Sequence, residues 1–105
     1  MDPERLRRLA ELGIEPLSLD SRSRHIYLVR APYAAMAERH ESGWRTGSAG
    51  RITDRGLAVI VWREQTAWFT ARGFEEQATP AEIAGLRQFQ ADLAAALHDA
   101  SAPLP

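Results

Sequence analysis

Two apolar runs, "LAVIVW" at 57–62 and "AWFTAR" at 67–72, stand on either side of the polar segment "REQT". Their β-branched and aromatic content predicts a hairpin. The connecting segment has no Gly, Asn or Asp, which tight two-residue hairpin turns prefer, so a four-residue loop is expected. That loop sets Trp62 opposite Ala67, Val61 opposite Trp68, Ile60 opposite Phe69 and Ala58 opposite Ala71. Side chains alternate along a strand, so two faces separate. Ala58, Ile60, Trp62, Ala67, Phe69 and Ala71 form an apolar face suited to the core. Leu57, Val59, Val61, Trp68, Thr70 and Arg72 form a second face, apolar near the turn and polar away from it. An odd loop length would instead put Trp68 on the face of Trp62. The even register is preferred because it keeps charged and apolar positions apart.

"HIYLVR", residues 25–30, reads as a further strand with apolar groups on both faces, ended by Pro32. "YAAMAERHE", residues 33–41, places Tyr33, Met36, Ala37 and His40 on one helical face, and a short helix ending near Gly43 is expected. Residues 43–56, "GWRTGSAGRITDRG", hold four of the seven glycines and read as a loop, with at most a brief strand near residues 51–53.

The two ends carry the clearest helix signals. Asp2, Pro3 and Glu4 suit a helix start, Leu6, Leu9 and Ala10 form a stripe, and Gly13 with Ile14 predicts a left-handed stop packed on Leu9. "LSLDSRSR" after Pro16 reads as an irregular or edge segment. "TPAE" at 79–82 is a capping box with Pro at the first helical position. Ile83, Leu86, Leu93 and Leu97 then line a stripe, with Phe89 flanking and Gln90 as a polar interruption. The helix should run to about His98. Together these elements predict an α+β fold: a small antiparallel sheet (hairpin 57–62/67–72 plus strand 25–30) packed on the N-terminal and C-terminal helices. A chain of 105 residues suits a single domain, here 1–100, with 101–105 as a frayed tail. The element order is like that of many small bacterial α+β modules, a likeness that licenses no function.

Composition narrows the chemistry. The absence of cysteine excludes disulfides, thiolate metal sites and a cysteine nucleophile. No apolar run approaches the length of a membrane-spanning helix, and the charged first residues lack a secretory core, so a cytoplasmic protein is expected. All thirteen basic residues are arginine, and the net charge is −1. Residues 42–63 are locally basic and residues 75–105 acidic, charges that can meet within one fold or across a dimer.

No catalytic, metal or cofactor motif emerges. His25, His40 and His98 lie in separate elements without ligand spacing, and Glu75 and Glu76 read as the start of a loop before the last helix. Ser48 is not in a nucleophile elbow, and "GSAGR" lacks the phosphate-loop pattern. The sequence therefore supports a small, soluble, non-catalytic interaction module, homodimeric through a sheet face or edge or bound to another protein. Trp68, Val59, Val61 and Arg72 are its expected interaction surface. The alternative is an anion or nucleic-acid binder using Trp44, Arg45, Arg51, Arg55 and Arg63 around the 43–56 loop, against which the acidic C-terminal helix and net charge weigh. An enzyme ranks third.

Overall fold

The computed structural model describes residues 3–17, 25–40 and 43–97. The expected Asp2 cap, the irregular segment 18–24, the last helical residue His98 and the tail 101–105 lie outside them. Helix α1 (Pro3–Glu11) is followed by seven strands: β1 (Glu15–Leu17), β2 (His25–Arg30), β3 (Tyr33–His40), β4 (Gly43–Thr53), β5 (Gly56–Arg63), β6 (Thr66–Ala71) and β7 (Phe74–Gln77). Helix α2 (Pro80–Leu97) closes the described chain. The strands form one antiparallel sheet in the order β1-β2-β3-β4-β5-β6-β7, every strand beside its neighbour in sequence. This corrects the expected small sheet of a hairpin plus one strand. The fold is dominated by its sheet.

Three segments account for the difference. The apolar spacing of residues 33–41 fits the expected helix, and their alanines do not oppose one. Instead β3 is held between two strands, with Leu28↔Ala35 on one side and Tyr33↔Arg51 on the other. Ala34, Ala35 and Ala37 are buried there. Helix propensity, worth tenths of a kcal/mol per residue, yields to a double row of ladder hydrogen bonds and burial. A two-residue turn containing the cis Ala31–Pro32 peptide joins β2 to β3.

The glycine-rich stretch 43–56 is likewise not a loop but β4 and its turn into β5. Gly56 has φ +99, which suits the turn, while Gly50 serves close packing within the sheet. A Cβ at Gly50 would fall onto the Ala58 carbonyl. Glycine marks close backbone approach here, as it does in bulged or tightly packed strands.

The third segment, residues 74–77, pairs with β6 as an edge strand, so Glu75 and Glu76 are strand residues. The turn Arg72–Gly73 precedes it, with Gly73 at φ +74.

The hairpin register is as expected: Trp62↔Ala67, Val61↔Trp68 and Ile60↔Phe69. Its turn differs. Arg63 pairs with Thr66, so only Glu64 and Gln65 turn the chain, both at positive φ (50 and 69). A two-residue and a four-residue connection here have the same parity, which is why the faces were assigned correctly.

Both helix signals fold as their chemistry demands. Ile14 N–H donates to the Leu9 carbonyl at 2.9 Å and Gly13 N–H to that of Ala10 at 3.0 Å, with Gly13 at φ +72. These are the two bonds of a Schellman stop. Of the α1 stripe only Leu9 is buried; Leu6 and Ala10 are exposed. In α2, Glu82 N–H donates to Thr79 Oγ1 and Thr79 N–H to Glu82 Oε1, each at 3.1 Å, completing the capping box. Its buried stripe is Leu86, Phe89, Leu93 and Ala96, so Phe89 sits at the centre rather than the flank.

Both helices contribute to one core on a single side of the sheet. Leu28, Ala35, Ala58, Ala67 and Phe69 from the strands meet Leu9, Leu86, Phe89 and Leu93 from the helices. The small side chains let the backbones approach, and Phe69 and Phe89 fill the space between. Gly85 lies beneath Tyr33, whose hydroxyl donates to the Glu82 carbonyl at 3.2 Å.

Candidate functional site on the uncovered sheet face

Alternation leaves a second sheet face that no described element covers. One row crosses six strands: Val29↔Ala34, Ala34↔Gly50, Gly50↔Val59, Val59↔Thr70 and Thr70↔Glu75. Its central members, Ala34 and Gly50, are small, so the face dips there. Leu17, Tyr27, Val29, Ile52 and Leu57 rise around the dip and enclose an apolar hollow of about 250 Å³. Leu17 and Ile52 are 47% and 45% exposed, an unusual share for aliphatic side chains in a sheet. Farther along the face, Val61 is exposed and pairs with the half-buried Trp68.

The structure thus brings together three of the four expected interaction residues, Val59, Val61 and Trp68. Arg72 stands apart in the β6–β7 turn. The expectation that Trp62 is a core residue is corrected. Trp62 does share the helix-facing side with Ala58 and Ile60, but it is 55% exposed, at a gap between the hairpin and α2. Sequence reading places Leu57 on this second face but misses the contribution of Leu17, Tyr27 and Ile52, although the two-sided apolar pattern of "HIYLVR" already signals such a face.

Polar and charged side chains, Arg45 among them, sit at the margin of this face. His25 Nε2 lies 3.8 Å from Glu38, and Arg63 donates to Glu75 at 2.7 Å. On the helix side, Arg51 donates to Glu76 and Glu82 at 3.0 Å each, with its guanidinium 5.7 Å from the Phe69 ring centre. The hydrogen bond to Glu76 holds Arg51 above its ordinary pKa. Burial pushes the Glu82 carboxyl up, but the Thr79 bonds and Arg51 outweigh it and keep it below its usual range. Arg30 donates to Asp92 at 2.8 Å and, with Gln88, lowers the Asp92 pKa.

These pairs disperse the alternative anion site. Trp44 is half-buried against the core, Arg45 is on the opposite side of β4, Arg55 is in the β4–β5 turn, and Arg51 and Arg63 are held by carboxylates. Among the described residues no three His, Asp or Glu side chains are grouped to hold a metal, and no helix is long and apolar enough to cross a membrane. Compared with protein-family models, curated proteins and solved structures, the chain matches none.

Proposed function

We propose that this chain is a cytoplasmic, non-catalytic interaction module that pairs with a second copy of itself through the uncovered sheet face. The observation that carries the reading is the continuous apolar surface from Leu17 to Trp68 on that face. Soluble proteins seldom leave so large a patch bare. Strand spacing and rise give a seven-stranded face on the order of 30 by 20 Å, about 600 Å² per copy and about 1,200 Å² in a pair. That reaches the lower bound of a stable interface. A two-fold contact sets each patch against itself, so like charges must not meet at its centre. Here the hollow is lined by uncharged residues, and Arg63 at the rim is paired with Glu75.

Edge-to-edge pairing has less support. β1 is three residues long and contains Pro16, while β7 presents Glu75 and Glu76. Proline and like charge are the usual means of blunting a sheet edge. Anion or nucleic-acid binding also has less support, because its arginines are dispersed and two are held by acids.

Light scattering tests the reading. The wild type should show about twice the 11.7 kDa of one chain, and Trp68→Glu or Leu57→Asp should return it to one. A wild type that remains monomeric at about 0.5 mM, where even a weak dimer with a dissociation constant near 0.1 mM would be populated, overturns it.

A further inference from the structure

The β4–β5 ladder runs from Thr53↔Gly56 to Gly50↔Val59 and stops. Beyond that point β4 continues on β3 as far as Gly43, and β5 continues on β6 as far as Arg63. The two strands therefore diverge into a fork, closed from below by α2. Ser48, Ala49, Ile60, Trp62, Ile83 and Arg87 are among the residues lining a cavity of about 360 Å³ in it.

Three features of the fork are unspent. The two-residue turn makes Arg63 and Thr66 the hydrogen-bonded pair of the hairpin, so by alternation Trp62 directs its N–H and C=O away from β6 and into the fork. No described strand pairs with them. The Trp62 indole is mostly exposed, although its neighbours on the same face are covered. Arg87 meets no acid among the described residues, whereas Arg30 and Arg51 on the same side of the sheet are each held by carboxylates.

We infer that this fork accepts a short extended peptide of a partner protein, added as a strand along residues 60–63 of β5 and carrying an acidic side chain that meets Arg87. Backbone groups at an open strand supply such pairing, and the alternating side chains of the added strand find pockets on one face. Ile83 and Ala49 offer apolar walls, Trp62 offers a flat ring surface, and the lone guanidinium selects a carboxylate. Four residues of strand span roughly 13 Å, which sets the length of the recognised segment. The fork opens within the sheet and shares Val59 with the proposed dimer surface, while Trp62, Ile83 and Arg87 stand on the helix side, away from that surface.

The probes are blocked hexapeptides of alternating valine and threonine, with one aspartate walked through the threonine positions. Affinity is measured by calorimetry, and hydrogen exchange of the Trp62 amide by NMR. At least one peptide should bind with Kd below about 1 mM and slow that exchange. Its asparagine counterpart should bind about fivefold more weakly, and N-methylation of the pairing amide should abolish binding. Arg87→Gln, at an exposed position, should erase the preference for aspartate while leaving the fold intact. Repeating the titration on Trp68→Glu separates this result from the dimer reading. Failure of every peptide to bind below about 1 mM, unchanged exchange at Trp62, equal binding of the aspartate and asparagine peptides, or perturbation confined to Tyr27 and Leu57 would each overturn the inference.

Discussion

Arg51 on β4 donates to Glu82 on α2 at 3.0 Å, and Glu82 is also the capping-box partner of Thr79. One carboxylate thus ends a helix properly and ties it to the sheet. Its side chain and that of Arg51 are 24% and 23% exposed, so solvent screens the pair only in part. Glu82→Ala removes cap and pair together and should cost about 1–2 kcal/mol. For a chain of this size that lowers the melting temperature by roughly 5–10 °C. Glu82→Gln keeps the capping geometry and should lose less than half as much. Thermal unfolding at pH 7 checks both, and an alanine variant that melts with the wild type would remove the role given to this residue.

Acid should weaken the fold through two carboxylates. Glu82 and Asp92 both have pKa values held below the ordinary range, so each binds its proton more readily in the unfolded chain. Their contribution is present above the unfolded pKa and is lost as pH falls through the folded value. Denaturant midpoints should therefore decline from about pH 5 downward. Combining Glu82→Gln with Asp92→Asn should flatten that decline, and an equally steep profile in the double variant would assign the acid sensitivity elsewhere.

Two nearby glycines on β4 should respond very differently to alanine. At Gly50 the new methyl meets the Ala58 backbone, whereas at Gly47 its nearest neighbours are Met36 atoms at 3.6 and 3.7 Å. Gly50→Ala should cost at least about 2 kcal/mol, since backbone must move to admit it. Gly47→Ala should stay within about 0.5 kcal/mol. Urea unfolding of the pair measures the difference, and equal costs would mean that β4 and β5 yield more easily than their spacing suggests.

The β5–β6 turn offers a stabilising change. Glu64 and Gln65 both occupy the left-handed region, which Asn and Gly tolerate better. Replacing them by Asn-Gly should raise stability by roughly 0.5–1 kcal/mol, seen as a higher urea midpoint at unchanged slope.

Signals that depend on local chemistry were legible in the sequence. The Thr79–Glu82 box, the Gly13 stop and the pairing of Val61 with Trp68 follow from short-range rules, and each is present. What was not legible depends on partners distant in the chain. The alanines of β3 read as helical until β2 and β4 are placed on either side. The glycines of β4 read as loop until the Ala58 carbonyl is seen against Gly50. Trp62 illustrates a further limit: alternation correctly assigns its side of the sheet but not how closely α2 packs against it. Trp68 could be placed on the second face, whereas the hollow beside Leu17 required the register of strands whose existence was not foreseen.

The strand order has a consequence for how the chain acquires its structure. Every ladder joins strands adjacent in sequence, so mean contact separation is low and no strand waits for a remote partner. The sheet can zip hairpin by hairpin. Its apolar underside, with Leu28 and Phe69, nevertheless stays wet until residues 80–97 fold over it. The assembly step most exposed to aggregation is therefore the docking of α2, and variants that weaken the Thr79–Glu82 start of that helix should prolong it.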